Sequence, residues 1–280
     1  MINILYKMIS SLRYKKIKAK KDYAKGKNIY VSGYPISGNS WIAYLITYIL
    51  NCKYFDIDAI KWSEQRLSIK KYLIGENNHD STQLYKNVYK THERTDLLPS
   101  KIDDLIICVA RDVRDVSNSY FHRIEKVYNL SNQNTSISRN FAYYFFKKII
   151  PFRYRYKFIT RFFAFEWSKH IEPVLKNDNI VIVSYEDMID NPIDTLRIII
   201  NKIDPNSWNK DIAVEAIDLF SFEKMKKDAE KSSSNIIKTD RVGSYGDWKN
   251  YFSTKDSIFF NKKYLPIMNA MHKSKLKANN

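Results

Sequence analysis

Short apolar runs alternate with longer amphipathic stretches along the middle of this chain. Four runs rich in β-branched and aromatic residues predict buried strands at residues 28–32, 86–90, 105–110 and 179–184. Apolar residues with helical spacing occupy residues 40–51, 112–129, 162–176, 191–202, 210–220 and 256–272. Because strands and helices alternate, the pattern predicts an α/β fold, with a single three-layer domain around a central, mainly parallel sheet.

No repeat or internal linker interrupts this pattern. A chain of 280 residues with 44% hydrophobic residues can bury a large core. We therefore predict one domain over residues 28–272. A basic extension over residues 1–27 would precede it, and a basic tail over residues 273–280 would follow it.

The net charge of +17 is concentrated in three segments. Residues 1–27 hold nine Lys and Arg and one acid, residues 262–280 hold five Lys, and residues 141–163 hold six basic residues and no acid. A nucleic-acid binder more often carries its charge on a folded face with base-stacking residues, so we expect no nucleic-acid partner. The basic ends are either solvated or weakly attracted to an anionic membrane or polysaccharide.

Two features bear on the location of the protein. Charges interrupt every apolar run before it reaches transmembrane length, and the apolar start contains Lys7 and lacks a small-residue cleavage site. The two cysteines, Cys52 and Cys108, lie in apolar surroundings and are expected to be buried thiols rather than a disulfide. Buried thiols suit a reducing compartment, which predicts a cytoplasmic protein.

The most informative motif is a turn with Gly and Pro between the first strand and the first helix. Gly33 and Gly38 allow the chain to turn tightly, and the amides of residues 37–40 open a helix, where an anion is favoured. The Walker A pattern would place Lys at the position of Asn39. The motif therefore predicts a site for a phosphate or sulfate ester without the lysine and metal of an ATPase. A turn that merely joins strand to helix is the alternative.

Two other strand ends carry reactive or charged side chains. Arg111 ends the third predicted strand, and Ser119 follows about two helical turns later on nearly the same side. This pair could clamp a second phosphate, the alternative being a helix-capping arginine and a surface serine. Lys90-Thr91-His92 ends the second strand. His92 suits a general base, with Lys90 steadying negative charge, unless the histidine is structural.

Two later segments add candidates for ligand contact. Tyr185, at the end of the fourth predicted strand, is available to an adenine or a ribose. Residues 241–250 contain Gly243 and Gly246 and lie outside any periodic segment. This composition predicts a loop that covers a ligand, with an ordinary surface turn as the alternative.

In order and spacing, these segments resemble the soluble, cytosolic-type sulfotransferase family over residues 28–254. That family moves a sulfuryl group from 3′-phosphoadenosine 5′-phosphosulfate (PAPS) to an acceptor and leaves 3′,5′-adenosine bisphosphate (PAP). Residues 34–41 resemble its 5′-phosphosulfate loop, which is P-loop-like and usually reads Tyr-Pro-Lys-Ser-Gly-Thr-Thr-Trp. The other matching motifs are Lys90-Thr91-His92, Arg111 with Ser119, Tyr185-Glu186-Asp187-Met188, Ser221-Phe222-Glu223, Arg241-Val242-Gly243 and Gly246-Asp247-Trp248-Lys249-Asn250.

The resemblance implies a role for each matching residue. PAPS would be the sulfuryl donor and PAP the product, and no metal would be needed. His92 would take the proton from the attacking acceptor, with Lys90 as the second catalytic residue. The residues implied to bind the donor are Ser37, Gly38, Asn39, Ser40, Trp41, Arg111, Ser119, Tyr185, Ser221, Phe222, Arg241, Val242 and Gly243.

Three positions depart from the family pattern. Ile36 stands where the family commonly has a lysine that neutralises the departing phosphate oxygen, and Val242 replaces the usual lysine of the late loop. Ile258 stands where the dimerisation pattern has a Glu, so the oligomeric state is left open. These changes favour one alternative, a catalytically weakened protein that binds PAPS or PAP. A P-loop kinase-like protein is a less favoured alternative, since it would need Mg²⁺ and a lysine near Ser40.

Aromatic and basic residues interleave over residues 141–163, where the resembling family builds its acceptor pocket. This composition suits stacking on a sugar or contact with a lipid headgroup, which favours a carbohydrate or glycolipid hydroxyl over a small phenol as the acceptor. The alternative is a helix pair with an aromatic core and solvated cations. Pro151 would break any single long helix in this region.

Overall fold

A five-stranded parallel sheet forms the centre of the structure, a computed structural model that describes residues 27–58, 84–98, 103–130, 147–231 and 244–278. The strand order is β2-β3-β1-β4-β5, and every neighbouring pair is parallel. The strands are β1 (Lys27–Ser32), β2 (Lys53–Asp56), β3 (Tyr85–Thr91), β4 (Leu105–Ala110) and β5 (Ile180–Ser184). The predicted central parallel sheet is confirmed.

One strand, β2, was not predicted from the sequence. It has four residues, lies at the edge of the sheet and is exposed at alternate positions. The other four strands are more deeply buried, with Val88 and Tyr89 in β3 and longer apolar runs in β1, β4 and β5. A short half-exposed strand lacks that signal, which explains why β2 was missed.

Helices follow most strands and cover both faces of the sheet. They are α1 (Asn39–Ile49), α2 (Val113–Leu130), α3 (Phe152–Leu175), α4 (Tyr185–Asp190), α5 (Pro192–Ile203), α6 (Lys210–Leu219), α7 (Phe222–Lys231) and α8 (Thr254–Ala278). The prediction of a helix from residue 162 is wrong at its start, because α3 begins directly after Pro151, ten residues earlier. Proline is well suited to precede or open a helix, since its amide lacks a hydrogen to donate.

Two short helices were also missed, and one was longer than predicted. The helices α4 and α7 begin directly after Ser184 and Ser221. The sequence analysis named a motif at each of these positions but predicted no helix there. In both, the serine hydroxyl accepts a hydrogen bond from a main-chain amide of the first turn. The last helix runs to Ala278, into the segment predicted to be a basic tail.

The hydrophobic core has two parts, one on each face of the sheet. Alternate residues of β4 face opposite ways, so Ile107 and Val109 join one cluster while Cys108 and Ala110 join the other. The first cluster packs α1, α5 and α6 against the sheet, and the second packs α2, α3 and α8. Helices on both faces of a parallel sheet form the three layers that the alternating pattern predicted.

Both cysteines are free and buried, as predicted. Burial raises the pKa of each thiol to about 12, so neither is a ready nucleophile. Within the described part of the chain, none of the helices combines the length and the apolar character needed to cross a bilayer.

The strand order places a potential binding crevice beside β1. The chain moves from β1 to β2 and β3 on one side of the sheet and then to β4 and β5 on the other. In open parallel sheets, ligands bind beyond the carboxyl ends of the strands at the point where the order reverses. The segments that follow β1, β3, β4 and β5 meet at this edge, and they contain His92, Arg111 and Tyr185.

Candidate active site

The turn after β1 needs glycine at two positions. A Cβ on Gly33 would lie 2.4 Å from Oδ1 of Asn39 and 2.6 Å from the carbonyl oxygen of Val109. Gly38 has φ +94°, and a Cβ there would lie 2.6 Å from Cδ2 of Tyr185. The turn is therefore pressed between β4 and the start of α4, and only glycine fits at its two ends.

Buried polar atoms without protein partners gather at this turn. Among the described residues they include the Ser37 hydroxyl, Oδ1 of Asn39, the indole nitrogen of Trp41 and Nε of Arg111. A buried polar group without a hydrogen-bond partner is costly, so native structures rarely keep several in one place. Three of these four atoms are hydrogen-bond donors, and α1 begins at the same point. The group fits an anionic ligand with several acceptor oxygens.

Arg111 connects this turn to residues 244–250, which we call the late segment. Its Nη1 donates to the carbonyl oxygen of Ile36 at 2.9 Å, and its Nη2 donates to the carbonyl oxygen of Ser244 at 3.1 Å. Its Cζ lies 4.3 Å from the ring centroid of Tyr185. The guanidinium is thus held in place by two main-chain carbonyls and an aromatic face, with Nε left for a ligand.

Tyr185 packs beneath the turn. Its ring is buried and meets the Trp41 ring edge to face, with centroids 6.2 Å apart. Burial raises the pKa of its phenol, so the hydroxyl stays protonated at neutral pH. The structure therefore places Tyr185 under Gly38 and between Trp41 and Arg111.

The helix α2 fixes the late segment in place. The buried carboxylate of Asp115 accepts hydrogen bonds from the amides of Gly246 at 2.7 Å and Trp248 at 3.5 Å. Nδ2 of Asn118 donates to Asp247 at 3.2 Å. Residues 244–250 are thereby tied to the same edge of the sheet as the turn, whereas Arg241, Val242 and Gly243 lie outside the described residues.

His92 lies directly beside the turn. Its Nδ1 is 2.8 Å from Nδ2 of Asn39 and 3.2 Å from the carbonyl oxygen of Gly33, to which Asn39 also donates at 2.7 Å. Burial and the charge of Lys90 lower the pKa of this histidine well below its usual value, so the ring is neutral at pH 7. A neutral imidazole is the form that a general base requires.

Two carboxylates that the sequence pattern did not indicate surround Lys90. Its buried Nζ lies 2.8 Å from Asp58 and 3.5 Å from Asp56, and Nε2 of His92 lies 3.9 Å from Asp58. Asp58 also accepts from the Thr91 hydroxyl at 3.4 Å. The positive charge of Lys90 is therefore shared with carboxylates rather than directed at the turn alone. Asp56 ends β2, and the sequence of that short edge strand gave no clear signal from which this pair could have been found.

The sequence matches the sulfotransferase domain family over residues 27–275. This chain belongs to the sulfotransferase family. Among curated relatives, Sulfotransferase 1B1 of Canis lupus familiaris is 25% identical over 267 residues, covering 86% of this chain and 83% of the relative. Sulfotransferase 1 family member D1 of Mus musculus is 27% identical over 275 residues, covering 88% and 84%. Amine sulfotransferase of Oryctolagus cuniculus is 27% identical over 261 residues, covering 84% and 78%.

Solved sulfotransferase-like structures share this fold. Mouse sulfotransferase SULT7A1 complexed with PAP matches with a TM-score of 0.55 and 21% identity, over 92% of this chain and 90% of that one. Retinol dehydratase in complex with androsterone and inactive cofactor PAP matches with a TM-score of 0.51 and 16% identity, over 86% and 80%. Membership of the family makes this protein a PAPS-dependent sulfotransferase.

The structure of this sulfotransferase brings some of the expected donor-binding residues together and leaves others apart. The residues of the turn, Arg111 and Tyr185 are in mutual contact. Ser119 is buried on α2, but no hydrogen bond among the described residues joins it to Arg111. The expected clamp of these two residues therefore stays a prediction.

Three other residues expected to bind the donor, Ser40, Ser221 and Phe222, are only half-buried. Ser40 is half-buried in the first turn of α1. The Ser221 hydroxyl accepts from the amide of Lys224 at 3.4 Å, so it caps α7 in this sulfotransferase, and Phe222 is the half-buried first residue of that helix. Among the described residues, no group of three or more His, Cys, Asp or Glu side chains could hold a metal ion.

Proposed function

We propose that this sulfotransferase transfers a sulfuryl group from PAPS to an acceptor hydroxyl, with His92 as the general base. The observation that supports this most strongly is the 2.8 Å contact between His92 and Asn39. It places a neutral imidazole directly against the turn that carries the buried, unpartnered donors. Anion site and base therefore share one crevice.

On the donor side, PAPS supplies the sulfuryl group and the phosphates that the protein must hold. The amides at the start of α1 and the hydroxyl of Ser37 suit the 5′-phosphosulfate end. Arg111 suits a phosphate through Nε, while its two Nη atoms brace the turn and the late segment. Trp41, whose indole nitrogen has no partner among the described residues, suits the adenine.

On the acceptor side, His92 receives the proton of the attacking hydroxyl. Its Nδ1 faces the turn, and Nε2, on the other side of the ring, is the nitrogen that would accept this proton. Asp58, 3.9 Å from Nε2, lies close enough to stabilise the imidazolium that forms. Such positioned proton transfer contributes about 10²–10⁴ in rate. A carbohydrate or glycolipid hydroxyl is our proposed acceptor class, from the aromatic and basic residues near α3.

Two observations favour the alternative of a catalytically weakened protein that binds PAPS or PAP. Ile36 brings no positive charge to the turn, and Lys90 is paired with Asp56 and Asp58. In that case the donor would bind without efficient turnover.

The experiment that tests the proposal separates binding from transfer. The wild-type protein is titrated with PAP and with ATP in EDTA, and thermal unfolding is followed; a ligand at 100 times its Kd stabilises by about 2.7 kcal/mol. Transfer of labelled sulfuryl from PAPS to a panel of hydroxyl acceptors is then measured. We expect stabilisation by PAP but not by ATP, and turnover that survives EDTA.

Three variants complete the test. Arg111→Met should weaken PAP binding, whereas exposed Arg197→Met, a matched control, should not. His92→Ala should keep PAP binding and lose about 10²–10⁴ in turnover. PAP binding without turnover in the wild type would establish the weakened protein instead. Failure of millimolar PAP to stabilise the wild type would contradict both possibilities.

A further inference from the structure

One face of α3 carries largely exposed aromatic and basic side chains, which make no hydrogen bond or ring contact with His92, Arg111 or Tyr185 among the described residues. We name it the aromatic-basic face and define it by Tyr154, Phe158, Arg161, Phe165 and Lys169. With 3.6 residues per turn, these positions fall on a single stripe of the helix. The stripe extends for four turns of α3.

The aromatic rings of this face are exposed to an unusual degree. Tyr154 is 69% exposed, Phe165 is 42% exposed and Phe158 is 38% exposed. A contiguous patch of large apolar side chains on a soluble domain usually marks a binding surface.

Positive charge surrounds these rings. Residues 147–169 hold seven Lys and Arg and one acid, Glu166. Arg155 and Lys147 pair with Glu125, and Arg161 lies 3.7 Å from Asp256, so part of this charge is balanced. Nζ of Lys169 lies 4.1 Å from the ring centroid of Phe165, and Nζ of Lys263, on α8, lies 5.5 Å from it. The guanidinium of Arg161 stacks 3.8 Å from the ring centroid of Phe259. The cations therefore flank the rings on both helices.

We propose that the aromatic-basic face docks on the surface of an anionic phospholipid bilayer. Phenyl and phenol rings partition into the interface between headgroups and acyl chains, while flanking Lys and Arg side chains reach lipid phosphates. Phe158 and Phe165 expose rings without polar atoms, as insertion among acyl chains requires, whereas an anionic polysaccharide would contact mainly the cations. This docking is peripheral and needs no bound PAPS.

Charge alone could draw the basic ends of the chain to the same membranes, so the first test leaves the charge unchanged. Wild type and the double variant Phe158→Ser with Phe165→Ser are sedimented with vesicles of phosphatidylcholine, with and without 30% phosphatidylglycerol. We expect wild type to bind only the anionic vesicles. We expect the variant to lose about tenfold or more in partition, because it removes two rings that would enter the bilayer.

A matched control tests whether the loss is local. The double variant Ile212→Ser with Val214→Ser removes two exposed apolar side chains from α6, far from α3 in sequence, and should bind as wild type does. Thermal unfolding of both double variants checks that the fold is kept. Equal binding of wild type and the α3 variant would overturn the proposal, because the basic ends alone would then account for attachment. Binding to heparin without binding to vesicles would assign the face to a polysaccharide instead.

A second measurement locates the inserted side chain. Phe165→Trp is titrated with anionic vesicles that contain brominated acyl chains, and Val214→Trp serves as the control. The five native tryptophans give the same background fluorescence in both variants. We expect the brominated lipid to quench additional fluorescence in Phe165→Trp and none in Val214→Trp. Identical quenching of the two variants would overturn the proposed orientation.

Discussion

The side-chain amide of Asn39 bridges the carbonyl oxygen of Gly33 and Nδ1 of His92, at 2.7 Å and 2.8 Å. Nδ1 also lies 3.2 Å from the Gly33 oxygen, so it faces one donor and one acceptor. Donation by Asn39 favours the tautomer of His92 with the proton on Nε2. Donation to Gly33 favours the tautomer with the proton on Nδ1, which leaves Nε2 able to accept a proton.

The first prediction concerns this balance. In Asn39→Ala the Gly33 oxygen loses its amide donor, so His92 should turn its proton to Nδ1 and donate to that oxygen. Long-range ¹H–¹⁵N correlation spectra report the tautomer directly, and the chain has only five histidines to assign. We expect the protonated-Nδ1 signal of His92 to grow in the variant. Unchanged His92 signals would show that Asn39 does not set the tautomer.

The pH dependence of turnover follows from the lowered pKa of His92. A base is inactive when protonated, so the rate should fall only at a pH well below 6.5. Lys90 contributes to the lowering, and its removal leaves Asp58 to favour the imidazolium. We therefore expect Lys90→Met to move the acid limb of kcat upward in pH. If the acid limb of the kcat profile stayed in place, Lys90 would not be a cause of the lowered pKa of His92.

The central sheet could be predicted from the sequence because β1, β4 and β5 contain buried apolar runs, and Val88 and Tyr89 indicate the shorter apolar stretch of β3. The turn at Gly33 to Gly38 could be predicted because a strand, a glycine turn and a helix follow one another locally. Contacts between distant segments left no such signal. Asn39 and His92 are 53 residues apart in sequence, and only the parallel pairing of β1 with β3 brings them together.

Asp58 illustrates the same limit. Its role depends on β2, an edge strand whose alternating exposure resembles that of a surface loop. The start of α3 at Phe152 was missed for a different reason. Its first turn is exposed, so the amphipathic pattern there is weak, and packing of Tyr156 and Ile159 stabilises the helix instead.

Stability should fall in mild acid because of His170. Its buried ring meets Tyr34 edge to face, and burial with the nearby charge of Arg94 lowers its pKa to about 4, from 6.5 in the unfolded chain. The unfolded state therefore binds the proton first, and the contribution of His170 is complete above pH 6.5 and lost as the pH falls to 4. The full shift corresponds to about 3 kcal/mol of unfolding free energy.

Urea unfolding at pH 7.5 and pH 4.5 measures this effect. We expect His170→Gln to reduce the difference in unfolding free energy between the two pH values by about 2 kcal/mol, since glutamine does not titrate. Exposed His272→Gln is the matched control and should leave the difference unchanged. Equal pH dependence in wild type and His170→Gln would assign the acid sensitivity to other groups.

Asp115 should be important for the late segment. Asp115→Ala leaves the amides of Gly246 and Trp248 without their acceptor, which should cost about 2 kcal/mol of stability and weaken PAP binding. Asp115→Asn keeps one acceptor oxygen, so its stability and PAP affinity should lie between those of wild type and Asp115→Ala. The control Asp190→Asn weakens an exposed bond to Tyr245 and should have little effect. Thermal unfolding measures the stability and PAP titration measures the affinity. If Asp115→Ala bound PAP as tightly as wild type does, the late segment would not contribute to donor binding.

Ile36 combines two unfavourable features in the turn proposed to bind the donor. Its φ of +70° lies in the left-handed region that β-branched residues avoid, and Nη1 of Arg111 holds its carbonyl oxygen at 2.9 Å. The same position brings no positive charge, although a lysine is usual in the resembling motif. Backbone strain and missing charge can be separated by two substitutions.

Ile36→Gly should relieve the strain without adding charge, and stabilise the protein by about 1 kcal/mol. Ile36→Lys should add a cation beside the 5′-phosphosulfate and raise turnover of PAPS by about tenfold or more, since charge aimed at the leaving group acts mainly in the transition state. The two variants are compared by thermal unfolding and by kcat. A gain in kcat for both would attribute the slow step to the strained turn, whereas a gain for Ile36→Lys alone would attribute it to the missing cation. A gain for neither would show that Arg111 and the amides of α1 already supply the charge stabilisation that the reaction needs.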